Sequence, residues 1–259
     1  MNYKIASDFL TKPTLRKVPE VLIIFWIIKL LTTAVGESTS DFLVHTVDPV
    51  VAVIFGGIGF LIAMILQLSK KRYIAWTYWL AVTMVAIFGT MAADVIHIGL
   101  GVPYLVSTVF FFVFLVLIFI IWYKTEKTLS IHSIYNRRRE LFYWATVLIT
   151  FALGTATGDL TATTLGLGYF NSGILFAILI AIPAIAWLVF RMNTVVAFWL
   201  AYILTRPLGA SFADWFGRSH DFGGIGFGTD KTSIVLGILI VLCVIYLSFT
   251  KADVKKSTK

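Results

Sequence analysis

The feature that most constrains this chain is a series of apolar runs, each roughly 18–22 residues long and separated by short polar segments. A helix of that length, at about 1.5 Å per residue, spans the ~30 Å hydrocarbon core of a bilayer. Backbone polar groups in lipid must be satisfied within their own segment, so these runs are predicted to be helices. Apolar residues make up 59% of the chain and charged residues 13%, which excludes an ordinary soluble domain. We predict an all-α integral membrane protein with a single membrane domain over residues 1–259.

The eight predicted spans cover residues 20–43, 50–68, 73–95, 103–123, 140–160, 172–190, 194–215 and 232–250. Of the 21 Lys and Arg residues, 17 lie in segments on one side of these spans, including the polar tails at 1–17 and 251–259. Basic residues concentrate in cytoplasmic segments, so both termini are predicted to be cytoplasmic. The net charge of +8 then reflects topology and attraction to anionic headgroups, and we predict no binding to nucleic acid.

A tryptophan motif recurs once in every odd-numbered span. A glycine follows ten residues after each Trp, and an aspartate follows fifteen residues after it. The residues are Trp26, Trp79, Trp144 and Trp199; Gly36, Gly89, Gly154 and Gly209; and Asp41, Asp94, Asp159 and Asp214. The Trp residues are 53, 65 and 55 positions apart, so each unit holds two spans. The chain divides into four parallel repeats, at roughly 18–70, 71–124, 136–191 and 192–250, which are predicted to be pseudo-symmetric about an axis along the membrane normal.

These motifs resemble those of a family of bacterial inner-membrane proteins. The resemblance is carried by the four Trp-bearing two-helix units, by Val18-Pro19-Glu20 at the start of the first span, and by Gly36-Glu37-Ser38 within it. That family has four tandem repeats of unknown function, each with two membrane spans and a characteristic tryptophan. The resemblance covers nearly the whole chain and implies a location in the bacterial cytoplasmic membrane. It brings no substrate and no catalytic residue.

The polar residues of each odd span share one helical face. Each residue advances about 100° around a helix, which places the Trp, the Gly and the Asp of each repeat on one broad stripe. Small and polar residues in membrane helices prefer the interior of a bundle. We therefore expect the four odd helices to face one another around a central axis, with the even helices facing the lipid.

The four aspartates are predicted to lie near the extracytoplasmic ends of their helices. The helix dipole disfavours an anion at a C-terminus by about 0.3–1 kcal/mol, so a fourfold repetition there suggests a shared use. That use could be structural, such as capping a neighbouring helix, or it could be a cation-attracting ring at the outer mouth. The sequence leaves both open.

Three further charged residues, Lys29, Glu37 and Arg206, fall at membrane depth, where an unpaired charge costs several kcal/mol. One interpretation is an interhelical ion pair that fixes the packing of the first and seventh spans. The other is a solute or proton path with Glu37 as the exchangeable carboxylate. Lys29 and Glu37 are two helical turns apart, so Arg206 is predicted to be the closer partner of Glu37.

Two histidines follow the aspartates at helical spacing. His45 comes four residues after Asp41, and His97 comes three residues after Asp94, so each pair could hold a divalent metal. The alternative is scattered polar residues in outer loops. The tryptophans are expected in an aromatic belt or in core packing, with a gating role as the alternative.

Three classes of function remain open. The first is a transporter or exporter of a small solute, in particular a cation or divalent metal, with proton coupling through Glu37. The second is a membrane scaffold or partner subunit, and the third is an intramembrane enzyme. We expect no enzyme and no cofactor, because the spans contain no His pair for haem and no HExxH motif. The expected partners are the bilayer and the small solute or ion; the sequence does not fix an oligomeric state.

Overall fold

The computed structural model describes residues 16–254, which form eight long helices joined by short loops. The helices are α1 Ile23–Thr46, α2 Pro49–Ser69, α3 Ala75–Asp94, α4 Tyr104–Glu126, α5 Arg137–Asp159, α6 Gly168–Phe190, α7 Thr194–Gly217 and α8 Thr229–Thr250. Each is long and apolar enough to cross a membrane, so the chain is a multi-pass membrane protein, as predicted. The parts of the predicted polar tails at residues 1–15 and 255–259 lie outside the described residues.

All four odd helices extend beyond their predicted ends, and in two of them the extension is a change of helix type. Helices α3 and α5 continue past their aspartates as π-helical turns over Val95–Gly99 and Leu160–Thr164. The hydropathy of the sequence falls at Asp94 and Asp159, which places the predicted helix ends there. The main-chain hydrogen bonds nevertheless continue past both residues in the wider π-helical turn. Helix α5 also begins earlier than predicted, because the Asn136 side chain accepts a hydrogen bond from the main-chain N–H of Arg139 and caps the helix.

The four odd helices form a closed ring in the middle of the molecule. Helix α1 packs on α3, α3 on α5, α5 on α7, and α7 returns to α1. Each even helix packs mainly on the next odd helix: α2 on α3, α4 on α5, α6 on α7, and α8 on α1. The two sets of helices differ in burial over the most apolar stretch of each helix. In the odd helices 56–67% of the residues of that stretch are buried, and in the even helices 17–22%. The predicted division into inner odd helices and outer even helices is confirmed.

The signature glycines hold this ring together through close contact between neighbouring odd helices. A Cβ atom added at Gly36 would lie 2.6 Å from the Cβ of Ala86, and one added at Gly89 would lie 2.8 Å from the Cβ of Phe151. Gly154 meets Arg206 and Gly209 meets Thr33 even more closely. Each contacted residue lies seven positions after the Trp of the next repeat. The same contact is therefore made four times around the axis.

The two ends of the bundle differ in charge. One end, called the basic end, holds the helix ends next to Lys17, Lys70 and Arg139. Ion pairs stabilise it, among them Lys17–Glu140 at 2.5 Å and Arg139–Glu126 at 2.7 Å. The main-chain N–H of Glu20 donates to the carbonyl of Asp253 at 2.9 Å, so the two ends of the described chain meet here. The opposite end, called the acidic end below, carries the four repeated aspartates.

Candidate functional site in the bundle axis

An aromatic layer closes the axis towards the basic end. The residue before each Trp is aromatic, and its ring contacts the Trp of the next repeat around the ring. The ring centroids of these pairs are Phe25–Trp79 at 5.6 Å, Tyr78–Trp144 at 5.6 Å, Tyr143–Trp199 at 6.2 Å and Phe198–Trp26 at 5.7 Å. Seven of these eight rings are buried and Trp26 is partly buried. The tryptophans therefore serve core packing, one of the two structural roles predicted for them.

Lys29 lies directly above this layer, one turn closer to the acidic end. Its side chain is 1% exposed, and its Nζ atom has no hydrogen-bond partner among residues 16–254. The Nζ atom lies 3.9 Å from the centre of the Phe151 ring and 4.4 Å from that of Tyr202. These two contacts stabilise the Lys29 ammonium group through cation–π attraction to the ring faces.

Arg206 joins all four repeats at the next level. Its guanidinium lies on α7, is fully buried, and makes an ion pair with Glu37 of α1 at 2.6 Å. The same Nη2 atom is within hydrogen-bond distance of the hydroxyls of Thr90 on α3 and Thr155 on α5, the latter at 2.7 Å. Glu37, Thr90 and Thr155 all stand eleven residues after the Trp of their repeat. The predicted pairing of Glu37 with Arg206 is present, and Lys29 does not join it.

The four aspartates at the acidic end separate into two pairs. Asp41 and Asp214 are bridged by Arg218, which lies 2.9 Å from the first carboxylate and 3.0 Å from the second. Burial disfavours the charged form of Arg218, but the two carboxylates outweigh this effect and raise the pKa of the guanidinium above its usual value. Glu37 is adjacent, so Glu37, Asp41 and Asp214 each offer an oxygen within 4.8 Å of the others.

Asp94 and Asp159 form the second pair, and no ion pair with either is found within residues 16–254. They lie at the C-terminal ends of α3 and α5, which pack against each other. One ring nitrogen of His97 lies within 4.8 Å of a carboxylate oxygen of each. The His97 ring packs edge-on against Tyr104, with centroids 4.6 Å apart. A carboxylate–imidazole–carboxylate group is thereby assembled from two repeats.

The predicted site residues are thus placed in three levels along one axis: Lys29, then Glu37 with Arg206, then the four aspartates. His45 is outside both carboxylate groups; its Nδ1 atom donates to the main-chain carbonyl of Asp41 at 2.6 Å. The use of these residues by a solute stays a prediction, and so does a metal-binding role for His45.

Sequence reasoning assigned no role to several residues of the axis. The aromatic residue before every Trp and the Thr at matched positions in the second and third repeats are visible in an alignment of the four repeats. Arg218 has no such sequence pattern, because it follows the last turn of α7 and has no counterpart in the other repeats. Its position between Asp41 and Asp214 depends on the closure of α7 against α1.

Comparison with known families recovers the four units. Residues 24–73, 77–128, 142–193 and 197–253 each match the model of a family described as Repeat of Unknown Function (DUF347). These ranges cover most of the chain and agree closely with the four predicted repeats. No significant match was found among curated proteins or among solved structures.

Proposed function

We infer the function from the geometry of the axis, since the chain belongs to the DUF347 family and that family is described only as a repeat of unknown function. We propose that the protein is a transporter or exporter of a small cation, coupled to proton movement. The observation that carries this proposal is the convergence of five carboxylates from all four repeats at the acidic half of the axis: Glu37, Asp41, Asp94, Asp159 and Asp214.

The charge balance of that half favours a cation as the solute. Five carboxylates face two guanidiniums, those of Arg206 and Arg218. The surplus of three negative charges in a water-poor setting requires protons or mobile cations, because uncompensated buried carboxylates are costly. A small cation that enters from the acidic end meets complementary charge at the first level it reaches.

Glu37 is the proposed proton-exchanging group. It lies between the aspartates at the mouth and the centre of the bundle, and Arg206 holds its carboxylate at membrane depth. Protonation of Glu37 weakens its pairing with Arg206 and removes one negative charge beside the aspartates. A cation in the acidic half is then held less strongly, which is the condition for exchange of a cation against a proton.

The aromatic layer and Lys29 supply the barrier on the opposite side. Seven buried rings pack across the axis at the level of Trp79, Trp144 and Trp199, and in this proposal they separate the acidic half from the basic end. Alternating access then requires these rings to separate. Parallel repeats around one axis allow such a rearrangement by rocking of one half against the other.

The proposed location is the bacterial cytoplasmic membrane, with both termini in the cytoplasm. This orientation rests on the concentration of Lys and Arg at the basic end. The acidic end then faces the extracytoplasmic side. The chain is proposed to act without enzymatic chemistry.

A scaffold role is the alternative, and the close contacts at the glycines favour it. Four interlocked helix pairs, together with an arginine that holds three other helices, describe a rigid bundle. A scaffold needs the Glu37–Arg206 pair for packing only. Measurement of flux separates the two functions.

The test uses the full chain in liposomes that contain a pH-sensitive dye. Addition of MnCl₂, ZnCl₂, NaCl or KCl to one side is expected to drive proton release for at least one of these salts. Glu37→Gln is expected to abolish this release while the protein still elutes as a folded species. Asp221→Asn, which removes an exposed carboxylate at the same end, is the matched control and keeps wild-type flux. Unchanged flux in Glu37→Gln ends the role of Glu37, and no flux with any of these cations contradicts the transport proposal.

A further inference from the structure

The repeated aspartates are equivalent in sequence but not in surroundings. Arg218 pairs with both Asp41 and Asp214, whereas no basic side chain of the described chain pairs with Asp94 or Asp159. These two carboxylates lie near the C-terminal ends of α3 and α5, where the helix dipoles add negative potential. Like charges held together at this position favour the binding of a cation.

His97 provides a second, independent observation. It is 6% exposed, and neither of its ring nitrogens has a hydrogen-bond partner among residues 16–254. A buried polar atom without a partner is costly, and such atoms in native proteins call for an explanation. The imidazole faces the oxygens of Asp94 and Asp159, so an ion held between the three groups would satisfy a ring nitrogen and both carboxylates.

We propose that Asp94, His97 and Asp159 form a binding site for a divalent transition-metal ion such as Zn²⁺ or Mn²⁺ at the acidic end of the bundle. The role of this site as the place where transported metal binds rests on the proposed cation transport. Metal binding by these three residues does not depend on transport and can be tested separately.

The distances suit this assignment. An ion at the centre of a triangle whose sides are at most 4.8 Å lies no more than about 2.8 Å from each corner, so closure to the ~2.0–2.2 Å of zinc bonds moves each ligand by less than about 1 Å. His97 lies in the π-helical turn Val95–Gly99, a type of turn that is frequent at functional sites. The edge-on contact with Tyr104 holds the plane of the imidazole.

The ligand set selects the class of ion. An imidazole with two carboxylates suits Zn²⁺, Mn²⁺ or Fe²⁺, whereas Mg²⁺ and Ca²⁺ prefer oxygen ligands alone. Three protein ligands leave at least one coordination position open to water, as in catalytic zinc sites.

The repeats offer no second copy of this site among the described residues. The position equivalent to His97 in the third repeat is Ala162, which has no ligand atom. At the Asp41–Asp214 pair, Arg218 takes the place that a cation would occupy. We therefore expect one transition-metal ion per chain.

The test is a titration of the full chain in detergent with ZnCl₂, MnCl₂ and MgCl₂, followed by calorimetry. The protein carries a streptavidin-binding tag, because a polyhistidine tag would bind the same ions. His97→Gln is expected to lower the affinity for Zn²⁺ by at least about tenfold, the effect that loss of even an outer-shell partner has at metal sites. His220→Ala, which removes an exposed imidazole at the same end, is the matched control and keeps wild-type affinity. Weak binding of Mg²⁺ is expected to be the same in all three proteins.

A second measurement needs no variant. Electron spin-echo spectroscopy of wild-type protein with bound Mn²⁺ is expected to detect the nitrogen of one imidazole ligand. Absence of Zn²⁺ binding to wild type, equal affinity in His97→Gln, or a Mn²⁺ spectrum without nitrogen coupling overturns the site. Binding that depends on His97 without metal-driven proton release in liposomes supports the site and contradicts transport. Metal-driven release that is unchanged in His97→Gln supports transport and overturns the role of this site in it.

Discussion

At the scale of single residues, Arg206 connects all four repeats of the bundle. Its guanidinium contacts one carboxylate and two hydroxyls on three other helices. Its Nη1 atom also donates a hydrogen bond to the main-chain carbonyl of Thr33 at 3.1 Å. The side chain fits because Gly154 has no Cβ atom at the point of contact. Removal of one partner would leave an uncompensated charge buried in the bundle, which destabilises the fold.

Arg206→Gln is expected to destabilise the protein by about 3–5 kcal/mol, because it leaves the Glu37 carboxylate buried and unpaired. The measurement is thermal unfolding in detergent. The double variant Arg206→Gln/Glu37→Gln is expected to recover part of this loss, since no charge remains. Arg138→Gln, which removes the exposed partner of Glu126 and leaves Glu126 paired with Arg139, is the control and costs at most about 1 kcal/mol. Equal unfolding of Arg206→Gln and wild type would contradict the network.

Lys29 is expected to behave in the opposite way. Its ammonium group has no hydrogen-bond partner in the described chain and lies between two aromatic rings. Met has a similar length and no charge to desolvate, so Lys29→Met is expected to unfold at the same temperature as wild type or at a higher one. A clear loss of stability in the same unfolding measurement would mean that Lys29 has a structural partner.

At the scale of helices, the glycine contacts set the spacing of the central ring. Each of the four signature glycines admits a side chain of the neighbouring odd helix to within 3.0 Å of where its own Cβ would stand. Dispersion and close backbone approach drive helix association in lipid, where the hydrophobic effect between helices is absent. One recurring glycine therefore determines all four interfaces.

Gly209→Ala is expected to destabilise the bundle by about 1–3 kcal/mol, because the added methyl group overlaps Thr33 on a helix that cannot move away freely. Gly237→Ala is the matched control. Gly237 lies within α8 with no atom of another residue near its Cβ position, so alanine there gains up to about 1 kcal/mol of helix propensity. Opposite signs in thermal unfolding are expected, and equal effects would contradict the interlocked ring.

The segments that close the basic end introduce a dependence on pH. The Tyr73 hydroxyl, before α3, donates a hydrogen bond to the Asp253 carboxylate, after α8. Burial raises the pKa of Asp253 in the folded protein, so the folded state binds more protons than the unfolded chain between the two pKa values. Stability is therefore expected to fall as pH rises through this window.

The measurement is thermal unfolding of wild type and of Asp253→Asn across acidic to neutral pH. Asparagine keeps an acceptor for Tyr73 and removes the titrating group. The difference between the two proteins is expected to change in favour of Asp253→Asn as pH rises. A constant difference would mean that Asp253 titrates as it does in the unfolded chain.

At the scale of the whole molecule, four equivalent units produce a bundle with a closed inner ring and unequal ends. The ring has the same glycine and aromatic contacts at each interface. The two ends differ in charge, with basic residues at one end and aspartates at the other. Around the axis the symmetry is broken by Arg218, which pairs with only two of the four aspartates. The orientation of the bundle in the membrane decides which compartment meets the proposed cation site.

Single cysteines test this orientation in a Cys243→Ser background. Ser219→Cys lies at the acidic end and Ser69→Cys at the basic end, and both positions are exposed. A membrane-impermeant thiol reagent on intact cells is expected to label the first and to spare the second until the membrane is permeabilised, as the distribution of basic residues predicts. The reverse pattern would place the acidic end in the cytoplasm.

The sequence by itself determined the eight spans, the four repeats, the inward face of the odd helices and the partnership of Glu37 with Arg206. These follow from length, from spacing along one helix and from the high cost of unpaired charge in lipid, which are all local or pairwise constraints. Only the tertiary structure decided how four identical aspartates divide. Arg218 reaches Asp41 because α7 closes the ring against α1, and His97 reaches Asp159 because a π-helical turn follows α3 beside α5. These groups join residues that are distant in the chain. Their distances depend on how whole helices pack together, and the spacing of residues within one helix does not predict that packing.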